Sequence, residues 1–349
     1  MRVVFLGLSV TSSLGNEHAT HYRSLMRELD ARGHDVVFLE RDVPWYASAR
    51  DVPDPPFGRT YLYSSVGDLR VRFASEVRGA NLVVVGSCVP EGIAVGEWVC
   101  NTARGTTAFY DVNTPGTLAR LERGDCRYLS TALIPRYDLY LSFAGGHALE
   151  RLEQSFGARH ACAFYPVVDP LRYRPRQTHP RWDLGYHGPY SDSRQPQLEA
   201  LLLGPARKLR DSEFVVAGKE YPPDLAWPDN VERVEHVPLP EHSAFCAAQR
   251  WTLNIGGRAR ELAPSVGLFQ AAACGIPVIS DRCDGLEQLF ADGTEILFAD
   301  KPSDVVEALW DMPDDQRRAI GGRARRRVLA EHTAARRIDQ LELLLASTI

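Results

Sequence analysis

Glu261-Leu-Ala-Pro-Ser-Val-Gly-Leu-Phe-Gln-Ala-Ala-Ala-Cys-Gly-Ile-Pro-Val-Ile-Ser-Asp281 decides how the rest of the chain is read. Pro264 and Ser265 open a helix, the Ala271–Cys274 turn is small enough to lie tight on a sheet, and Gly275 stops it. Pro277–Ser280 is then a strand, and Trp251–Ile255 is the strand before. A strand, a helix and a strand in succession imply a right-handed crossover and parallel pairing.

The same alternation extends outward in both directions. Leu184–Gly188, Glu213–Ala217 and Val231–His236 read as further strands of the second half. In the first half the strand candidates are Val3–Gly7, Asp35–Glu40, Leu82–Gly86, Thr106–Asp111 and Leu139–Phe143. Helical patterns lie between them at Ala19–Arg32, where Tyr22, Leu25, Met26 and Leu29 fall at helix spacing, and at Glu91–Thr102. A polar, proline-bearing stretch, Tyr173–Arg181, separates the halves. A chain of 349 residues exceeds the ~250–300 that one core usually organises. The expected layout is an α/β domain over 1–172, a linker over 173–181, a second α/β domain over 182–332 and a last helix over 333–349. In the tail, Pro302–Trp310, Asp314–His332 and Ala334–Leu345 read as helices. The basic cluster of Arg317, Arg318, Arg323, Arg325, Arg326 and Arg327 is either a solvated face or an anion-contacting surface.

Composition narrows the function classes. With 44% apolar and 24% charged residues, disorder and coiled coil are excluded. No apolar run approaches the ~18–20 residues that span a bilayer, so no membrane insertion is expected. Met1–Val10 reads as a first strand rather than a signal peptide. The net charge of −5 counts against a protein that coats nucleic acid. Seven scattered cysteines without a C-x-x-C point away from a disulfide framework or zinc site and toward a cytoplasmic location.

Open parallel sheets bind ligands beyond the carboxyl ends of their strands, and two such domains create a cleft. The first loop, Gly7–His18, offers Asn16 and His18, with His18 either acting on substrate or merely capping a helix. After the fourth strand candidate, Asp111 and Asn113 could hold hydroxyl groups or cap the helix that starts at Thr114. In the second half, Gly188, Tyr190 and Arg194 follow one strand, and Gly218 and Lys219 follow the next, where a point cation suits a phosphate. Backbone N–H groups of Ser265, Val266 and Gly267 make an anion site at a helix N-terminus, with Gln270 one turn on.

These residues carry a resemblance. Residues 264–281, followed by Gly285-Leu-Glu-Gln-Leu-Phe290 and Gly293-Thr-Glu-Ile-Leu297, resemble the nucleotide-sugar domain of CgeB-like glycosyltransferases, relatives of the group-1 (family 4) enzymes. Phe109–Pro115, Leu141–Gly146, Pro166–Pro170 and Arg325–Thr333 match in the same order. The resemblance implies a GT-B architecture: two Rossmann-like domains facing a cleft, with a C-terminal helix crossing back to the N-terminal domain. It implies a nucleoside diphosphate sugar, UDP-linked in most such enzymes, on the C-terminal domain and a hydroxyl acceptor on the N-terminal one. Arg194 and Lys219 would face the diphosphate, and the loop at Val237 and Pro238 would hold the base. The family's ribose-binding glutamate is replaced here by Gln270, and Glu261 is a shifted substitute for its other glutamate.

The reading is a glycosyltransferase, retaining by resemblance, with no metal required because no D-x-D motif is present. Arg194, Lys219 and the Ser265 helix end would stabilise the leaving diphosphate, while His18 and Asp111 orient sugar and acceptor. The acceptor class is open: small molecule, glycan, protein or modified DNA. The competing readings are a nucleotide-sugar-binding protein without turnover, favoured by Gln270, and a GT-B epimerase.

Overall fold

The computed structural model describes residues 1–14, 16, 18–256, 264–283 and 285–348, excepting the side chain at 348. The chain divides into two compact units, Met1–Val167 with Ala334–Ile349, and Val168–Thr333.

The first unit is a seven-stranded, wholly parallel sheet. Its strands are β1 (Arg2–Gly7), β2 (Asp35–Arg41), β3 (Arg59–Tyr63), β4 (Leu82–Gly86), β5 (Thr106–Asp111), β6 (Leu139–Ser142) and β7 (Ala161–Ala163). They lie in the order β3-β2-β1-β4-β5-β6-β7, so the winding reverses between β1 and β4. Val3–Leu6, Val36–Leu39 and Leu82–Val85 are buried throughout, as expected of strands covered on both faces. The helix His18–Ala31 follows β1 and buries Tyr22, Leu25, Met26 and Leu29. The Tyr22 ring meets Phe5, Phe38 and Tyr110 edge-on at 5.9, 5.0 and 5.6 Å. Gly86 has a spatial reason: a Cβ there would strike the Tyr22 hydroxyl.

β3, β7 and the helix Val66–Gly79 have no counterpart in the sequence reading. β3 and β7 are the two edges, where burial is partial and apolar continuity is lost. The helix buries only Leu69, Phe73 and Val77, a single stripe among charges.

The last helix, Ala334–Thr348, belongs to this unit and packs beside His18–Ala31. Ile338, Leu341 and Leu345 are buried, and Arg32 binds Asp339 and Glu342 at 2.8 and 2.9 Å. Arg337 and Gln340 donate to the carbonyls of Tyr165 and Ala163.

The second unit repeats the plan with six parallel strands. These are β8 (Trp182–His187), β9 (Phe214–Ala217), β10 (Val231–Val234), β11 (Gln249–Asn254), β12 (Val278–Ser280) and β13 (Leu297–Phe298), ordered β10-β9-β8-β11-β12-β13. β13 is a two-residue edge that the sequence reading missed. The boundary between units falls at Val167–Val168, ahead of the expected linker 173–181. Val168 already pairs with Thr333 and donates to the His332 carbonyl, which ties the stretch before 173 into the second unit.

The arginine cluster is a framework for the helix Asp314–Glu331. Arg317 donates to the Arg250 carbonyl, Arg323 to that of Thr294 and Arg325 to that of Ala273. Arg327 bridges Glu295 and Glu331. These bonds leave four of the six guanidiniums committed to the fold.

Candidate functional site

The strand order of the second unit reverses between β8 and β11, and that reversal opens a crevice at their carboxyl ends. A narrow cleft lies there. His187 closes β8, Asn254 closes β11, and the helices His242–Ala247 and Val266–Ala273 supply the walls with Phe245, Cys246, Gly267 and Gln270.

The entrance to the Val266–Ala273 helix is fixed by a chain of side-chain bonds. Ser265 is the N-cap: its Oγ accepts from Leu268 N at 3.1 Å and donates to Asn254 Oδ1 at 2.6 Å. Asn254 Nδ2 in turn donates to Ser280 Oγ at 2.8 Å, so the ends of β11 and β12 set where the helix begins. The amides at the start of such a helix have no partner within it, and the helix dipole adds positive potential at that end. Among the described lining residues Arg194 alone carries a permanent positive charge, and one of its amino groups donates to the Pro189 carbonyl at 3.1 Å.

Histidines form the opposite wall. The His187 and His242 rings meet edge to face at 4.8 Å. Although its outer edge is open to solvent, His187 is packed among protein atoms, and that desolvation, with His242 and His236 nearby, lowers its pKa to about 4. His242 is lowered too, chiefly by burial, and its Nε2 contacts the Val237 carbonyl at 2.9 Å. The cleft therefore presents neutral imidazoles at neutral pH.

The sequence-derived residues separate into three groups. Arg194, Ser265, Gly267 and Gln270 line this cleft, and Val266 lies in the same helix turn. A second group lies outside its lining. Lys219 is exposed, and its carbonyl accepts from Tyr190 N at 2.9 Å; Tyr190 spends its hydroxyl on Asp192 at 2.7 Å. Val237 is buried and Pro238 is exposed beyond it. Gly188 and Gly218 are set by packing, since a Cβ on Gly218 would run into the Gly188 carbonyl oxygen. Glu261 lies outside the described residues.

The third group is in the first unit. Asp111 is fully buried: Oδ1 accepts from Asn113 N and Thr117 Oγ1 at 3.1 and 2.9 Å, and Oδ2 from the Tyr140 hydroxyl at 2.7 Å. Burial raises its pKa, and its hydrogen bonds oppose that rise. Asn113 is the N-cap of Thr114–Arg123, accepting from Gly116 N at 3.3 Å. Both residues therefore hold the start of the Thr114–Arg123 helix in place, Asp111 from within the core and Asn113 at the surface. His18 begins the first helix, and burial lowers its pKa to about 4. Its Nδ1, Asn16 Oδ1 and His21 Nε2 are buried polar atoms without a hydrogen-bond partner among the described residues. Asn16 Nδ2 is engaged by the carbonyls of Ser9 and Ser12.

The first part of the loop that carries them, residues 9–13, is held by two carboxylates. Glu40, itself buried, accepts from Val10 N, Thr11 N, Ser9 Oγ and Thr11 Oγ1 at 2.7, 3.0, 2.9 and 2.6 Å. Asp51 takes Ser13 and forms a bidentate pair with Arg23.

Sequence reasoning missed His187, His242, Phe245, Gln249 and Asn254 as cleft residues. His187 and Asn254 had a legible signal, a polar residue closing an apolar strand. The other three lie on a helix or a strand start whose placement depends on the fold.

The decisive resemblance is to solved structures. HepE from Anabaena, in complex with UDP and glucose, superposes with a TM-score of 0.72 at 12% identity, covering 99% of this chain and 100% of its own. Sucrose-phosphate synthase from Thermosynechococcus elongatus gives 0.67 at 13% identity, with both chains covered completely. T4 phage BGT, in complex with its UDP-glucose substrate, gives 0.64 at 10% identity and 99% of each chain. The fold is GT-B. Residues 194–342 match the glycosyl transferase-like family, which places that likeness largely on the GT-B chain's second unit. Among curated proteins no sequence matches. Among the described residues, no helix of this GT-B protein is long and apolar enough to cross a membrane.

Proposed function

We propose that this protein is a glycosyltransferase that binds a nucleoside diphosphate sugar, UDP-linked, in the β8–β11 cleft and transfers the sugar to a hydroxyl acceptor. The observation that carries the reading is the Ser265-capped helix end and Arg194 on one cleft at the strand-order reversal. Open helix amides and a guanidinium suit a diphosphate, and both gain as negative charge builds on the leaving group. The UDP and UDP-glucose complexes of HepE and T4 phage BGT, which share the fold, support the choice of donor. Gln270, on the same wall, offers an amide to the ribose hydroxyls. Retention of configuration follows the group-1 resemblance of residues 264–281.

In the first unit, His18 is assigned to the transfer step, with Asn16 beside it in the same loop. A neutral imidazole whose Nδ1 has no partner among the described residues is suited to take or orient a hydroxyl proton.

Melting temperatures with millimolar UDP, GDP, dTDP and ADP test the donor site. A ligand at ~100 times its Kd adds ~2.7 kcal/mol to the folded state. UDP is expected to give the largest rise, and no rise with any of the four would remove the reading. Mass spectrometry of UDP-sugars incubated with the protein then separates turnover from mere binding, and NMR of the product anomer tests retention.

A further inference from the structure

Two cysteines stand together behind the cleft wall. Cys246 belongs to the helix His242–Ala247 and lines the cleft, while Cys274 caps the end of Val266–Ala273 and is buried. Cys274 Sγ lies 3.7 Å from Ser243 Oγ, and Ser243 is one helical turn before Cys246, so the two cysteines meet on one helix face.

The surroundings of the pair are asymmetric. Cys274 Sγ donates to Ser243 Oγ at 3.7 Å, and the same oxygen accepts from Arg176 Nε at 3.3 Å. Arg325 Nε donates to the Ala273 carbonyl, one residue from Cys274, at 3.1 Å. Hydrogen bonding with Cys246 first, then with Ser243, and the charges of Arg176 and Arg325 favour the Cys274 thiolate against its burial, and its pKa is lowered. Cys246 is shifted upward by Cys274 and by burial. Elsewhere, Cys88, Cys100 and Cys162 are held as thiols by burial.

We propose that Cys274 and Cys246 form a reversible oxidation site for small peroxides, which enter past Cys246 where it lines the cleft, and that the resulting disulfide weakens nucleotide binding there. Cys274 thiolate attacks one oxygen of hydrogen peroxide, the O–O bond breaks, and the departing hydroxide takes up the proton Cys274 had released. Cys246 sulfur then attacks the Cys274 sulfenic acid; the S–S bond forms and the sulfenic hydroxyl leaves with the Cys246 proton as water. Two thiols are oxidised by two electrons and one peroxide is reduced to two waters. The new bond ties the His242–Ala247 helix to the far end of Val266–Ala273, the two walls that carry Phe245 and Gln270.

The effect on binding rests on the nucleotide-site reading above; the disulfide does not. The test treats the whole protein with equimolar hydrogen peroxide, alkylates it and digests it with trypsin. Cleavage after Arg233, Arg250, Arg260 and Arg282 puts Cys246 and Cys274 on separate peptides. The expected product is those two peptides joined with the loss of two hydrogens, released by dithiothreitol and absent from Cys274→Ser. Oxidised protein should bind UDP about tenfold more weakly than reduced protein, with recovery on reduction. Absence of the joined peptide overturns the oxidation site. A joined peptide with unchanged UDP affinity overturns the control of binding. Reduced protein that fails to bind UDP at all, yet yields the joined peptide, sinks the nucleotide reading and leaves the thiol site standing.

Discussion

Ser265 Oγ donates to Asn254 Oδ1 at 2.6 Å, joining the start of a helix to the end of the strand before it. Through Asn254 Nδ2 the connection continues to Ser280 on the next strand. A helix end held this way keeps its open amides aimed at one place, which is what electrostatic stabilisation of a diphosphate requires.

Ser265→Ala removes the cap and leaves Asn254 Oδ1 without its donor. The expected cost is about 1 kcal/mol of stability, read by urea denaturation. UDP affinity should fall by about tenfold, beyond what the small loss of stability explains.

Arg194 and Lys219 should behave differently, although both were matched to the phosphate by sequence. Arg194→Ala is expected to weaken UDP binding by ~10-fold or more, the value of a charge-assisted hydrogen bond. Lys219→Ala, exposed and outside the cleft lining, should leave it nearly unchanged. Calorimetric titration of both variants at one ionic strength decides the point, and equal losses would mean that Lys219 also meets the nucleotide.

Gln270→Glu should be tolerated and should favour ribonucleotides over their 2′-deoxy forms, because a carboxylate accepts hydroxyl hydrogen bonds more strongly than an amide. Competition between UDP and dUDP measures this. An equal change for both would place Gln270 away from the ribose.

His18 ties turnover and acid stability to one buried imidazole. His18 and His21 have pKa values lowered to about 4 and about 3, chiefly by burial. In the unfolded chain an imidazole titrates near ~6.5, so below that pH the unfolded state binds more protons and stability falls. The loss should be absent above pH 6.5 and grow down to about pH 4. Thermal melts from pH 7.5 to 4.5 should show His18→Gln losing less on acidification than the parent protein. At neutral pH the same variant should keep UDP affinity within a few-fold while single-turnover transfer falls by ~10²-fold, the size of a positioned acid–base group. An unimpaired rate would leave His18 a structural residue.

Glu40→Ala is expected to lose about 3 kcal/mol, because two backbone amides and two hydroxyls lose a buried carboxylate at once. Glu40→Gln should recover part of it. Denaturation midpoints of the two variants measure the difference.

The two-unit α/β plan and its parallel strands are legible in the chain, because apolar strands of the sheet centre and helix-spaced residues such as Tyr22, Leu25, Met26 and Leu29 are local signals that burial on both faces leaves behind. The sequence also marked Ser265 and Gln270, since a cap followed by a small-residue turn is a short-range pattern. Edges such as β3, β7 and β13 left little trace, being short or half-solvated. Which loop residues meet depends on how distant segments pack. Asp111 and Lys219 looked alike as polar residues after strands, yet one is enclosed by Thr117 and Tyr140 and the other stays in solvent. His187, His242 and Gln249 became one wall because β8, β11 and the intervening helix are brought together by strand order, a relation between segments some sixty residues apart that no local pattern contains.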